Sequence, residues 1–286
     1  MPLKLMYITN NPDVAQIAED AGVDIIFVDM EFIGKYLRQG GMDTVQSHHT
    51  IEDVKAIKAV LRKAKLMVRV NPIHKAGEER GCFFGDSTEE IDSAINAGAD
   101  IIMLPFFHKK EELEELVRIV DGRAVTFPLL ETNAAYENLD ELLTVQGIDQ
   151  VYIGLNDLSL DQGKTFMFEQ LADGTVDEIC GKLKNKGIPY GFGGIARPGA
   201  GMLPAEYIIR DHHRLGSSYV ILSRSFCNTS AIVNLEEIRS IFQDGVREIR
   251  QIEEDADLYS DDQFADNHAE VQKRVAMVVD IMRKKN

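Results

Sequence analysis

Apolar residues along this chain fall into short unbroken runs, and several of these runs follow a glycine that closes a helical pattern. The phrase reads AGVDIIFVDM at Ala21–Met30, AGADIIMLPF at Ala97–Phe106 and QGIDQVYIGL at Gln146–Leu155. Looser copies are KGIPYGFGGI at Lys186–Ile195 and LGSSYVILSR at Leu215–Arg224. A glycine just past a helix adopts the left-handed backbone that ends it, and the apolar run that follows reads as a strand. Strands that are apolar without alternation are buried on both faces, as in a parallel sheet covered by helices.

Completing the pattern predicts eight strands, near Leu3–Thr9, Asp24–Met30, Lys65–Asn71, Asp100–Phe106, Ala124–Leu130, Gln150–Gly154, Pro189–Gly194 and Ser218–Ser223. Helical periodicity lies between most of them, over Asp13–Ala21, Ile51–Ala64, Thr88–Ala97, Lys109–Val120, Ala134–Val145, Thr175–Lys186 and Pro204–Leu215. Asn11-Pro12 supplies an N-cap and a first helical residue. This alternation predicts a (β/α)8 TIM barrel over residues 1–228, with additional C-terminal helices over 229–286. No GxGxxG follows the first strand, which removes the best evidence for a dinucleotide fold. The C-terminal helices are expected near Leu235–Glu254 and Asp262–Lys284, joined by the acidic EEDADLYSDD, read as a solvated connector. The last helix carries Val271, Val275, Val278, Val279 and Met282 on one stripe, to be buried under the barrel or on a second subunit.

Composition narrows the function without naming it. The chain has 286 residues, 44% hydrophobic and 27% charged, with a formal net charge of −16. Such a charge argues against nucleic-acid binding, which depends on an excess of Lys and Arg. Cys82, Cys180 and Cys227 form no CxxC pair, so neither a disulfide framework nor a zinc site is expected. With no secretion signal and no membrane-length apolar run, a soluble cytoplasmic protein is expected.

The chemistry of a barrel gathers at the C-terminal ends of its strands. There the second strand ends Asp29-Met30-Glu31, the third Arg69-Val70-Asn71, the fifth at Glu131, and the sixth runs into Asn156 and Asp157. Glu131 and Asp157 lie just past adjacent strands, so their carboxylates should converge. Neighbouring carboxylates repel unless a cation or a shared proton intervenes. Oxygen-only ligands suit Mg2+ or Mn2+ better than zinc. Arg69 offers a planar fork for a substrate carboxylate or a developing enolate oxygen.

The segments VDME at Val28–Glu31, VRVN at Val68–Asn71, AGADIIMLP, LLETNAAYENLDELL and VYIGLNDLSLDQG resemble the HpcH/HpaI aldolase and citrate lyase β-subunit superfamily. The resemblance covers roughly residues 5–225 and implies a metal-dependent aldol or Claisen-type lyase acting on pyruvate or another 2-keto acid, with an aldehyde as second substrate. It implies that Glu131 and Asp157 hold the metal and that Arg69 stabilises the enolate oxygen. It further implies that backbone N–H groups around Gly154, Asn156 and Asp157 bind the keto-acid carboxylate, and that Asp29 and Glu31 orient a water or an oxygen ligand. A homo-oligomer is also implied. Two positions depart from the family pattern: Phe32 stands where many members have histidine, and Leu129 where many have glutamine. Both departures leave the metal and enolate parts in place.

The loop FIGKYLRQGGMDTVQSHHT is long for a βα connection and carries Lys35, Arg38, His48 and His49. Either histidine is a candidate general acid or base, and the cations are candidates for an anionic second substrate. The competing reading makes the pair a helix cap before Thr50. GFGGIARPGAG at Gly191–Gly201 lacks the GK[ST] ending of a phosphate loop and reads as a tight turn. Arg224 faces a substrate anion or pairs with a barrel acid, Cys180 reads as core, and His212 and His213 read as cations at a helix end. Two rivals remain: an acyl-CoA lyase, and a barrel that binds metal and keto acid without catalysis.

Overall fold

Strands β1 (Lys4–Ile8), β2 (Ile25–Asp29), β3 (Lys65–Arg69), β4 (Ile101–Met103), β5 (Val125–Thr126), β6 (Leu129–Leu130), β7 (Val151–Ile153), β8 (Tyr190–Ile195) and β9 (Tyr219–Leu222) form one curled parallel sheet. Its order is β5-β4-β3-β2-β1-β9-β8-β7-β6. The computed structural model describes residues 2–34, 49–77 and 84–284. Among the described residues no helix is long and apolar enough to cross a membrane.

The expected strand at Ala124–Leu130 is split into β5 and β6, which take the two ends of the sheet order. Pro128 lacks the N–H that a ladder requires, which interrupts the pairing there. The backbone bonds nevertheless run on through the split. Phe127 N–H donates to Ile102 O (2.9 Å) and Leu129 N–H to Leu104 O (2.8 Å), while Tyr152 N–H donates to Pro128 O (3.0 Å).

Along each strand, alternate residues enter two separate clusters. Ile26, Val28, Leu66, Val68 and Ile102 face the helices. Met6, Ile25, Phe27, Met67, Ile101, Met103, Phe127, Leu129 and Tyr152 fill the inside of the curl. The period of two thus sets which side chains continue inward at the strand ends.

The helices are α1 (Pro12–Asp20), α2 (Ile51–Val60), α3 (Ser87–Asn96), α4 (Lys110–Val120), α5 (Asn133–Glu137), α6 (Leu139–Leu142), α7 (Leu155–Asp161), α8 (Glu169–Ala172), α9 (Thr175–Lys186), α10 (Ala205–Leu215), α11 (Leu235–Ala256) and α12 (Asp261–Arg283). The single helix expected over Ala134–Val145 breaks at Asn138, whose Nδ2 donates to Ala134 O at 3.0 Å. Such side-chain bonds compete with the helical ladder.

Of the acidic stretch read as a connector, Glu253–Ala256 instead form the last turn of α11 and Asp261-Asp262 begin α12, leaving 257–260 as the link. Glu253 is buried, and its Oε1 accepts the N–H of Leu3 at 2.6 Å. Arg250 Nη1 donates both to Leu3 O (2.8 Å) and to Glu253 Oε2 (2.6 Å). Helix α12 buries Asn267, Val271, Val275 and Val279 against α10 and α8 of the same chain. Asn267 Nδ2 donates to Tyr207 O at 3.1 Å, and His268 Nδ1 lies 2.9 Å from Asp211 Oδ2.

Burial raises the Glu253 carboxyl, but His213, the Leu3 N–H and Arg250 more than reverse this and hold it below its usual value. A depressed folded-state pKa means stability that is present above the unfolded pKa and is lost as pH falls through the folded one. Glu253→Ala should therefore cost about 1–3 kcal/mol at pH 7 by orphaning the Leu3 N–H. Urea midpoints should show this gap at pH 7 and show it closing in acid.

Candidate active site

The inward positions of the strands end in polar groups. Two residues beyond Phe27 comes Asp29, beyond Met67 comes Arg69, beyond Leu129 comes Glu131, and beyond Tyr152 comes Gly154. Asp29 and Arg69 are register partners on β2 and β3. Arg69 Nε and Nη2 donate to the two oxygens of Asp29, each at 2.8 Å, and Nε lies 3.4 Å from Glu31 Oε2. The guanidinium carbon sits 5.5 Å from the Phe27 ring centre.

Asp29, Glu31 and Glu131 are each only 2% exposed. Burial works against the charge of Arg69, yet Asp29, Glu31 and Glu131 outweigh it and raise the Arg69 pKa well above its usual value. A bidentate arginine–carboxylate pair has both its geometry and its charge state set.

Glu131 is held by its own neighbours. Phe106, at φ 51° in the left-handed region, donates its N–H to Glu131 Oε1 at 3.0 Å. A non-glycine residue there carries backbone strain of the kind that collects at functional sites. Thr132 caps α5 and donates its hydroxyl to Phe107 O at 2.8 Å, fixing the turn just past Glu131. Gly154 N–H donates to Leu130 O at 2.8 Å, which sets β7 beside β6. A Cβ on Gly154 would stand 2.8 Å from Glu131 Cβ and 3.0 Å from its Oε2. The glycine thus clears the space the carboxylate occupies. Asn156 and Asp157 follow in the first turn of α7, both half-buried.

His49 belongs to this mouth, because its Nδ1 accepts the Asp29 N–H at 3.0 Å. The proton of the neutral ring therefore sits on Nε2. The helix cap is instead Thr50, in a capping box with Asp53. His48, Lys35, Arg38 and Cys82 lie outside the described residues. Arg224 is exposed just beyond β9.

The expectation of cationic histidines at a helix end fails for His212. Its ring is fully buried, stacks on Phe192 with centres 3.7 Å apart, and shares a 2.8 Å bond with Ser217 Oγ. Burial, aided by the charge of His213, pushes its pKa down to about 3, so it is neutral. Cys180 is core, its thiol pushed up by burial.

Residues 4–172 match the family model described as HpcH/HpaI aldolase/citrate lyase. The chain belongs to this HpcH/HpaI family. It is 22% identical over 218 residues to a 4-hydroxy-4-methyl-2-oxoglutarate aldolase of Chaetomium globosum, covering 65% of this chain and 72% of that protein. It is 38% identical over 80 residues to a hydroxypyruvate/pyruvate aldolase of Rhizorhabdus wittichii, covering 26% of this chain and 32% of that protein. Among solved structures, the HpcH/HpaI aldolase of Desulfitobacterium hafniense aligns with TM-score 0.61 at 17% identity, covering 84% of this chain and 93% of that one. This last likeness concerns the fold alone.

Among the described residues of this HpcH/HpaI chain, no three His, Cys, Asp or Glu side chains group as a metal set. The pair Glu131 and Asp157 nevertheless fits a hard divalent cation in kind. Its donors are carboxylate oxygens, which leave further positions to water or substrate. Gly154 packs against the Oε2 of Glu131, while Phe106 holds the Oε1.

Two neighbours of the site carried no role in the sequence reading. Asn71 Oδ1 accepts the N–H groups of Phe32 and Ile33, each at 2.8 Å. Glu90 Oε1 accepts Asn71 N–H (3.0 Å) and Nδ2 (2.9 Å). One signal for Glu90 was available: it shares a helical stripe with Ser87, Ile91 and Ala94, all buried.

Arg69→Met should destabilise the protein by about 3–5 kcal/mol, because it leaves buried carboxylates facing each other without their guanidinium. Denaturant melts at pH 7 with a chelator present, so that no added cation offsets the loss, would measure it.

Proposed function

We propose that this family member is a metal-dependent carbon–carbon lyase that makes or breaks a bond to the enolate of a pyruvate-like 2-keto acid, with an aldehyde as the other product. The observation that carries this is the half-buried Arg69, clamped by Asp29 and under the electrostatic influence of Glu131, whose carboxylate fills the space a side chain on Gly154 would take. The aldolase names of the relatives support a lyase, and both named activities concern 2-keto acids. We take the sheet to close as a (β/α)8 barrel through the split strand at Val125–Leu130, which bonds to β4 on one side and β7 on the other.

Glu131 and Asp157 are the residues that would hold Mg2+ or Mn2+. Such a cation, when bound, polarises carbonyl oxygens and stabilises negative charge on them. The protein's own groups do the rest. Cleavage gives the aldol hydroxyl proton to water as the aldehyde C=O forms, and moves the electron pair of the C–C bond onto the 2-keto acid, whose carbonyl oxygen gains enolate charge. A proton from water then returns to the enolate carbon. Arg69 meets that charge with Nη1, because Nε and Nη2 are committed to Asp29. Its position is set before the substrate arrives, so no reorganisation is needed during the reaction. His49, with its proton on Nε2, serves as a hydrogen-bond donor to a substrate or water oxygen. Asp29 and Glu31 keep Arg69 charged and aimed.

The decisive measurement follows the methyl protons of pyruvate by NMR in D2O with Mg2+. Wild type should exchange them only with metal present. Glu131→Gln should lose more than the roughly 10–100-fold that follows loss of a mere outer partner of a metal site. Absence of exchange in wild type would sink the keto-acid reading and turn the search to thioesters.

A further inference from the structure

We propose that Glu90 is a positioning residue of this site, acting through Asn71 on the backbone of Phe32 and Ile33. The inference rests on the enolate reading for its kinetic consequence, though not for its structural one. Asn71 stands two residues past Arg69, and Phe32 directly follows Glu31. By accepting both N–H groups with its Oδ1, Asn71 ties the end of β3 to the end of β2. These are the two segments that carry the Arg69–Asp29 pair.

An amide side chain can turn either way round unless its surroundings distinguish oxygen from nitrogen. The two N–H donors at the β2 end call for the oxygen, and Glu90 locks that choice from the other side: its Oε1 takes the Nδ2 of Asn71 as well as its backbone N–H. The chain of bonds runs from α3, through Asn71, to the backbone beyond the acids that clamp Arg69.

An acid is a costly choice for this place. Glu90 is 0% exposed, and its Oε2 has no hydrogen-bond partner among the described residues. Burial raises its pKa to about 7, against the opposing pull of Asn71. Among the described residues, His74 faces it, with Nδ1 4.0 Å from Oε2 and in contact with Pro72 O and Ser87 Oγ. On a helical stripe with Ile91 and Ala94, an apolar side chain would avoid the cost of burying a carboxyl. What an apolar side chain lacks is the acceptor that orients Asn71.

The test uses the full chain carrying Glu90→Leu and Glu90→Gln, with two readouts. The first is amide hydrogen exchange at Phe32 and Ile33; the second is kcat and KM for metal-dependent exchange of pyruvate methyl protons. Glu90→Leu should lower protection of both amides about 10-fold or more and reduce kcat toward the roughly 100-fold that small misplacement costs. KM for pyruvate should stay within about 3-fold, because binding groups remain in place. Glu90→Gln keeps an oxygen toward Asn71 and should restore both protection and most of kcat. A purely structural Glu90 would lower melting temperature alone; unchanged protection, or lost protection with unchanged kcat, overturns the proposal. If Glu90→Leu does not fold, Asn71→Ser removes the Oδ1 acceptor and carries the same expectations and the same overturning results. If wild type shows no methyl exchange, the enolate reading fails by itself, and amide protection at Phe32 and Ile33 still decides whether Glu90 orients Asn71.

Discussion

The organisation of the mouth depends on one pair, Arg69 with Asp29, placed side by side by the parallel register of β2 and β3. A half-buried guanidinium among buried acids is stable when fully paired, and the pairing is bidentate. Because the two residues are register partners, no loop has to bring them together; the ladder does. The other polar groups arrange themselves around this fixed charge. Glu31 approaches Arg69 from just past the β2 end, and the charge of Glu131 adds to the acids that keep it protonated.

The fold was legible where its causes are local. A glycine with a positive φ follows α1, α3 and α9, at Gly22, Gly98 and Gly187, as the recurring phrase predicts. Every expected strand is found within a few residues of its place. The misses have long-range or single-residue causes. Pro128 sits inside an apolar run, so its missing N–H is invisible to a hydropathy pattern. Asn138 breaks a helix through its own side chain. The acidic turn of α11 looked solvated because the partner of Glu253 is Leu3, 250 residues away in sequence.

The site divides in the same way. Asp29, Arg69 and Glu131 could be named because strand ends are where inward-facing polar residues are not needed for packing. The link from Glu90 to Asn71 crosses from a helix to a strand end, and nothing in a linear reading connects them. Gly154 was singled out for its N–H, whereas its other service is negative: it has no side chain, so Glu131 can be where it is.

The contact of Glu253 and Arg250 with Leu3 has a consequence for the order of events on the ribosome. β1 lies between β2 and β9, and its entry into the sheet is anchored by a helix made some 250 residues later. β1, made before the other strands of this sheet, is therefore among the last of them to be fully secured. During synthesis it can pair with β2, but its other edge stays open until β9 and α11 emerge. A nascent chain paused before β9 and α11 emerge would expose that edge, the kind of surface that chaperones cover and neighbouring chains capture.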